Sequence, residues 1–447
     1  MIENDAFKLL LINLFHLNPD DITNIVCTTF NKMMVLLVTL ADKHQACPYC
    51  GFTAPKIKEY VTKEITHSAL TTQKCIIKYR ARRYKCSCCG KTYYEFNPFV
   101  FKSQKISILT VHNILKDLKD FNETFTSVAR RYHVSPTSVS TIFDNHVDIG
   151  RNPLPEIINF DEVYAFKSEK SKYVCVLLDF KKQIPVDVLP NRKKEYLLNY
   201  FQKIPLEERK KVKYACSDMY EVYRDVVHKV FPESKHLLDY FHLSQDFHKK
   251  MNEVRIKVMK GYKDDKASDE YYLLKKFNWL LFKNPEDEDK YGRLFDVERE
   301  RKYNSHFKSY MNYYDLRKKL LEINNDLTIC YSLKLELVDF YSKSTIDNAQ
   351  VNLEHLIRSF IDTNIEEMIK FSNNLINWKQ EIINSFTIVG TEYKVEADKG
   401  QVVVCNKKVN NAIIENRNKI IKCIKNNANG YTNWSRFRNR VMYVLDP

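Results

Sequence analysis

Apolar positions along the chain change period several times, and each change marks an element. Phe7 to Phe15 has the spacing of an amphipathic helix, and Met33 to Ala41 is an apolar run broken only by Thr39. Between Lys74 and Lys85, Ile77, Tyr79 and Ala81 alternate with Lys78, Arg80 and Arg82, the pattern of a half-buried strand. Helical spacing returns from Ile106 to Leu118. In the segment Thr126 to Phe143, Val128, Ala129 and Tyr132 form one inner face and Val139, Ile142 and Phe143 another. Between them Val134 occupies a turn, and Ser135 and Pro136 supply an N-cap and a first-turn proline. This predicts a helix-turn-helix.

From Pro155 the texture turns strand-like: Ile157 to Phe166, Tyr173 to Asp179 and Ile184 to Leu189, with connections short enough for an antiparallel meander. A helix over Lys193 to Lys203, a strand over Val212 to Ser217, a helix over Tyr220 to Val230 and a strand over His236 to Phe241 follow. Three paired strands and then helix, strand, helix, strand is the order of a ribonuclease-H-like α/β domain. His242 to Phe386 keeps helical spacing with few prolines and predicts an all-helical insertion. Asn411 to Lys425 predicts a further helix, with isoleucines 413, 414, 420, 421 and 424 on one stripe, and Val403 and Val404 pair with Tyr393 to Val395 in a short hairpin.

Charge and glycine usage narrow the chemistry. Lys plus Arg number 71 against 56 Asp plus Glu, a net charge of +15 that favours a polyanionic partner, nucleic acid first. Seven basic residues and no acid lie between Lys74 and Lys91. Phosphate-cradling glycine loops are absent, since only eight glycines occur, which argues against a nucleotide-driven motor or a dinucleotide enzyme. No apolar run approaches the roughly 20 residues of a membrane span, and no basic leader precedes Phe7, so a cytoplasmic location is expected.

Two of those glycines follow Cys-x-x-Cys pairs, in Cys47-Pro-Tyr-Cys50-Gly51 and Cys86-Ser-Cys-Cys89-Gly90. Two thiolates so spaced reach one ion, and the following glycine tolerates the positive φ of the knuckle. Cys47, Cys50, Cys86 and Cys89 therefore predict a structural Zn²⁺ ribbon, with Cys88 a near-equivalent neighbour of the fourth ligand. His67 is read as an exposed residue of a polar stretch. Candidate DNA contacts are Arg80, Arg82 and Arg83 on the ribbon, and Arg130 and Arg131 toward phosphate. On the second helix of the helix-turn-helix, Thr137, Ser138, Ser140 and Thr141 join them.

Three carboxylates stand out. Asp161 lies inside an apolar strand, where an unpaired charge costs several kcal/mol unless it binds a cation. Asp218 follows the fourth strand, at the carboxyl end where α/β sheets place ligands. Close carboxylates repel, and hard Mg²⁺ or Mn²⁺ is the natural remedy. Glu415 is the single acid among nine Lys or Arg between Lys407 and Arg440, and shares its helix side with Asn418, Lys419 and Lys422. It is read equally as a third carboxylate or as an exposed partner of lysines one turn away.

The chain resembles transposases of the ISL3 family of insertion sequences along nearly its whole length. The resemblance is carried by CPYCG at 47–51, RRYKCSCCG at 82–90, FDEVYAFK at 160–167, VDVLPNR at 186–192, CSDMY at 216–220, DYFHL at 239–243 and, most specifically, the block at 410–443. It implies a multidomain α/β protein with a zinc ribbon, a helix-turn-helix and a ribonuclease-H-like DDE domain. Asp161, Asp218 and Glu415 match the catalytic triad holding two Mg²⁺ or Mn²⁺ ions, Asp239 is a reserve catalytic position, and Asn416 replaces a frequent glycine.

The divisions expected are an N-terminal helix and strand at 1–45, the ribbon at 46–100 and the helix-turn-helix at 101–150. The first part of the catalytic core follows at 151–245, a helical insertion at 246–386, and the last part of the core with basic helices, including Lys419 and Lys422 against DNA, at 387–447. The implied activity is metal-dependent cleavage and transfer of double-stranded DNA at terminal inverted repeats, by a homo-oligomer on DNA. A zinc-dependent DNA-binding regulator, or an inactive domesticated transposase, is the alternative.

Overall fold

Helix α1 (Ile2–Leu14) precedes a hairpin of β1 (Ile22–Phe30) and β2 (Met33–Leu40), turned at Asn31 and Lys32 with φ of 49° and 61°. Two successive positive φ values match the twist of the flanking strands. The computed structural model describes residues 2–43, 45–68, 72–102, 104–166, 171–395 and 402–446, with backbone alone for 2–4, 392–395 and 402–405. These residues form two units, one of residues 1–151, 164–168 and 419–447, the other of 152–163 and 169–418.

In the first unit, β3 (Lys56–Thr66), β4 (Cys75–Lys85) and β5 (Thr92–Tyr94) follow. Strand β2 pairs in parallel with β4, so the sheet runs β1-β2-β4-β3 with β5 beside β4. The segments expected at 1–45 and 46–100 thus share one sheet and one core, including Phe15, Leu36, Cys75 and Ile77. His67, read as exposed, is buried in this unit. Its Nδ1 lies 2.9 Å from Ser107 Oγ and its Nε2 3.0 Å from the Phe15 carbonyl, and burial lowers its pKa to about 4.

Helices α2 (Ile108–Asp117), α3 (Phe125–Arg131) and α4 (Pro136–His146) complete the N-terminal part. Ser135 Oγ accepts from the Ser138 amide, and Val139, Ile142 and Phe143 are buried against Val128, Ala129 and Tyr132. The C-terminal helix (Trp434–Leu445) packs in the same unit. Tyr443 meets Phe143 edge-on at 5.8 Å, and the buried Arg440 donates to the carbonyls of Asp120 and Glu123, each at 2.9 Å. A guanidinium so enclosed needs those acceptors, which ties the chain's last helix to the α2–α3 connection.

The second unit is built on β6 (Ile157–Val163), β7 (Val174–Asp179) and β8 (Pro185–Leu189), an antiparallel meander. After α5 (Lys194–Gln202) and the one-turn α6 (Leu206–Arg209), β9 (Tyr214–Ser217) pairs in parallel with β6. Helix α7 (Glu221–Val230) leads to β10 (Lys235–Leu238), parallel to β9. The order is β10-β9-β6-β7-β8. Side chains alternate across β6: Ile158 and Phe160 pack against α5 and α7, while Ile157 faces the other way, beside Cys216, Leu237 and Val409.

The last strand is shorter than expected, because α8 (Tyr240–Lys260) begins directly after Asp239. Helices α8 and α9 (Asp269–Lys276) open the insertion. The expectation that it is all helical fails between them and α10 (Tyr313–Glu322), where β11 (Glu288–Asp289) pairs with β12 (Gly292–Arg293) and β13 (Lys302–Asn304) with β14 (Ser309–Met311). Positive φ at Gly292 (94°) and Lys308 (50°) turns these hairpins, which short-range apolar spacing does not register. The helices α11 (Asn325–Lys343), α12 (Ala349–Ile361), α13 (Glu366–Asn377) and α14 (Lys379–Asn384) bury a core of their own, including Phe247, Leu353, Phe360 and Phe371. A hairpin of β15 (Ile388–Val395) and β16 (Val402–Lys408) leads to α15 (Ala412–Asn427).

Residues 410 and 411, at the start of α15, are clasped to β6 by amides. Asn159 Nδ2 donates to the Asn410 carbonyl at 2.8 Å and to Asn411 Oδ1 at 2.6 Å, and Asn411 Nδ2 donates to the Phe160 carbonyl at 3.2 Å. Both asparagines are fully buried. Replacing Asn159 with Leu strips these acceptors of their donor, and a loss of about 1–3 kcal/mol is expected in denaturant unfolding of the chain. An unchanged midpoint would show that the clasp does not hold the helix.

Candidate active site

Register and alternation place three aspartates together. Asn159 pairs with Cys216 and Leu238 with Ser217, so continuing the two parallel ladders brings Asp161, Asp218 and Asp239 to one level across three adjacent strands. All three share the side of Ile157, Cys216 and Leu237, the side opposite α5 and α7. Neighbouring strands lie roughly 4.8 Å apart. Burial drives each carboxyl toward its neutral form. For Asp161 the pKa rises to about 7, by burial first, partly opposed by the Glu162 amide that donates to Oδ1, with the charge of Asp218 adding to the rise. Burial and then the charge of Glu162 raise Asp218; burial raises Asp239, opposed by the Asn411 amide.

Helix α15 supplies the opposite wall. The Glu415 amide closes its first turn on the Asn411 carbonyl, the Asn411 amide donates to Asp239 Oδ1 at 3.3 Å, and Asn418 Nδ2 donates to Asp161 Oδ2 at 2.7 Å. Glu415 is partly exposed, and its Oε1 lies 3.7 Å from His242 Nε2, which is in turn 3.9 Å from Asp239 Oδ2. Asp239, His242 and Glu415 each offer a ligand atom within 4.8 Å of the others. Asp239 Oδ2 and His242 Nε2 are buried without a hydrogen-bond partner among the described residues. Polar atoms orphaned in this way, beside a carboxylate, fit a cation better than a closed hydrogen-bond network.

Of the sequence-derived carboxylates, Asp161 and Asp218 thus adjoin each other, while Glu415 sits closest to Asp239, the reserve position. Three neighbours were not singled out from sequence. His242, one turn into α8, is a lone histidine whose relation to Glu415 is visible only in three dimensions. Glu162 and Arg192 form an ion pair beside Asp218, and the Arg192 guanidinium lies between the Tyr173 and Tyr220 rings at 4.5 and 4.7 Å. Together with Asp218, His242 and Lys249 they border an open cleft of about 440 Å³. The Pro-Asn-Arg run after β8 was the available signal for Arg192.

In the first unit the four cysteines converge. Cys47 and Cys89 Sγ are 3.7 Å apart, Cys50 and Cys86 Sγ 3.5 Å, and all four lie within 4.8 Å of one another. The two knuckles repeat one geometry. Gly51 donates to the Cys47 carbonyl at 2.8 Å and Gly90 to that of Cys86 at 3.0 Å, with φ of 76° and 68° at the glycines. The Cys89 amide, donating to Cys86 Sγ at 3.5 Å, draws that thiol down to about 7 against the opposing effect of burial. Cys88 is exposed and outside the cluster. The set fits a tetrahedral thiolate site for zinc.

The candidate DNA contacts divide by what already engages them. Arg82 is paired with Glu95 and Arg83 with Glu59, at 2.7 and 2.6 Å, and Arg131 is gripped by both Asp117 and Glu123. Ser140 Oγ donates to the Pro136 carbonyl at 3.1 Å and Ser138 Oγ lies 2.8 Å from Ser135 Oγ. Arg80, Arg130, Thr137, Thr141, Lys419 and Lys422 are exposed. No helix among the described residues is long and apolar enough to cross a membrane.

The transposase for insertion sequence element IS1001 of Bordetella parapertussis is 19% identical over 398 residues, covering 88% of this chain and 87% of that protein. The family profile of ISL3 DDE transposases, described as transposase, matches residues 158–397, which takes in β6, β9, β10, the insertion and three of the acidic positions, and stops short of Glu415. Since that match spans more than half of its length, the chain belongs to the ISL3 family of transposases.

Proposed function

We propose that this transposase binds the terminal inverted repeats of an insertion sequence and cuts and joins double-stranded DNA at a ribonuclease-H-like core. Asp161, Asp218 and Glu415 would be its catalytic carboxylates. The observation that carries this reading is the row of three aspartates at one sheet level, Asp161 and Asp239 buried and Asp218 half-buried, faced by Glu415 and His242. Asp161 and Asp218 would hold one divalent ion between them. Glu415 would hold the other with Asp239, and His242 lies within reach of it, which suits Mn²⁺ as well as Mg²⁺. Bound there, such a pair supplies Lewis-acid activation of water or a 3′ hydroxyl and offsets charge on the leaving oxygen.

The chain's own residues set the geometry. Asn418 fixes the Asp161 carboxylate through Oδ2, and the Glu162 amide holds Oδ1. The asparagine clasp sets the depth at which α15 presents Glu415. Arg192, stacked against two tyrosines and paired with Glu162, and Lys249 line the approach to Asp218, where Lys249 would meet phosphate. In the first unit, a zinc ribbon on Cys47, Cys50, Cys86 and Cys89 and a helix-turn-helix of α3 and α4 would hold the terminal repeats. Arg80, Arg130, Thr137 and Thr141 would be their outward contacts, with Lys419 and Lys422 on the backbone. Action by a homo-oligomer that brings the two ends together follows from the same reading.

Asp161→Asn and Glu415→Gln are each expected to lower Mg²⁺-dependent cleavage of end-bearing DNA by at least about 10²-fold while binding of the ends is retained. Cleavage at the parent rate in either variant would remove that residue from the catalytic set. Asp161 also predicts a pH effect. Its folded-state pKa near 7 exceeds that of an unfolded aspartate, so the folded chain binds the extra proton and its stability falls as pH rises from the ordinary carboxylate range through 7. Without divalent ions, the parent's melting temperature should therefore fall more steeply than that of Asp161→Asn between pH 4.5 and 7.5. Mn²⁺ should recover it at the upper end in the parent only; parallel curves would contradict this. For zinc, the purified chain is expected to carry one equivalent. Cys89→Ser should lose it and Cys88→Ser retain it, as read by metal analysis.

A further inference from the structure

The two hairpins that interrupt the insertion stand beside α9 and α10 around a cleft of about 670 Å³. Five aromatic rings line it, those of Tyr272, Phe277, Tyr291, Tyr303 and Tyr313. Tyr291 and Tyr303 expose 68% and 58% of their surface, an arrangement that wets large apolar faces for no benefit to folding. Cations are interleaved with the rings. The Arg299 guanidinium lies 6.0 Å from the Tyr291 ring and 5.6 Å from Tyr313, and Lys302 Nζ 5.9 Å from Tyr291. Across the cleft, Lys276 Nζ is 5.2 Å from Tyr272. Three acids also line the cleft, Asp289, which is paired with Arg299 at 2.6 Å, Asp296 and Glu300.

The walls are held in place. Asn312 caps α10 by accepting from the Asp315 amide, and its own amide donates to the Val297 and Arg299 carbonyls, both at 3.1 Å. Tyr272 lies flat on His306, with ring centres 4.0 Å apart and planes 7° from parallel. Anchored rings with cations at the rim offer what an unpaired nucleobase and its phosphate require, a stacking face and a counter-charge, in a space of the size that small ligands fill. A duplex keeps its base faces covered and offers only groove edges and phosphates.

We propose that this cleft binds single-stranded DNA, taking one or two unpaired nucleotides with bases stacked on Tyr291 and Tyr303 and phosphates toward Lys302 and Arg293. That the strand is DNA rests on the transposase reading; the stacking site itself does not. A proline-rich peptide also meets tyrosine grooves, but the lining cations Lys276, Arg293, Arg299 and Lys302 outnumber the acids Asp289, Asp296 and Glu300, and Lys302 stands beside the Tyr291 ring, which favours a polyanion.

The test uses the full chain and a short single-stranded oligonucleotide carrying 2-aminopurine, with the duplex of the same sequence beside it. Binding of the single strand should quench the fluorophore. Tyr291→Ala and Tyr303→Ala should each weaken that binding roughly tenfold and reduce the quench, leaving duplex binding unchanged. Tyr303→Phe, which keeps the ring, should bind as the parent does. Asp161→Asn should also bind the single strand normally, so a failure of the catalytic reading is distinguishable from a failure here. Single-strand binding that is equal in the parent and the double alanine variant, or that proceeds without quenching, overturns the proposal.

Discussion

The burial of neighbouring carboxyl groups at one edge of its sheet governs this molecule's second unit. Asp161, Asp218 and Asp239 stand at one level and on one face of adjacent parallel strands, where burial pushes the pKa of each upward. A sheet designed for stability alone would place apolar side chains there, as the opposite face does with Ile158, Phe160 and Leu177. A divalent cation held there would relieve what the fold creates.

Helix α15 faces this row. Its buried isoleucines supply area, but area alone does not fix a helix's position along its axis. The amides do so: Asn159 to residues 410 and 411, Asn411 to the Phe160 carbonyl, and Asn418 to Asp161. Each bond is directional, and each buried partner left unmade costs about 1–3 kcal/mol, so sliding by one turn would forfeit several at once. Glu415 is delivered beside Asp239 and His242 by that constraint, although some 170 residues separate it from them. The intervening insertion buries its own core, so the sheet need not supply its stability.

Much of this was legible along the chain. Local physics marks the meander β6–β8, the Ser135 cap and the apolar faces of α3 and α4. Cysteine spacing with a following glycine identified the four thiols that converge. Asp161 was conspicuous because a charge inside an apolar strand needs a reason. What was not legible depends on partners distant in sequence. The parallel pairing of β2 with β4, which merges the first hundred residues into one sheet, leaves no local signature. Asn411 and Asn418 read as ordinary polar helix residues, and His242 and His67 as solitary histidines, until the groups they face are known. The hairpins at 288–311 were hidden by the helical texture around them, and several arginines that looked available for phosphate proved to be held by Glu59, Glu95, Asp117 and Glu123.

The aspartate row and α15 would together form one divalent-ion centre. Anomalous scattering from crystals of the parent chain grown with Mn²⁺ and a duplex bearing the element's end tests it most directly. One peak is expected where Asp161 and Asp218 would hold an ion and a second where Asp239 and Glu415 would. Manganese absent from both positions in crystals whose DNA is bound at the same cleft would contradict it.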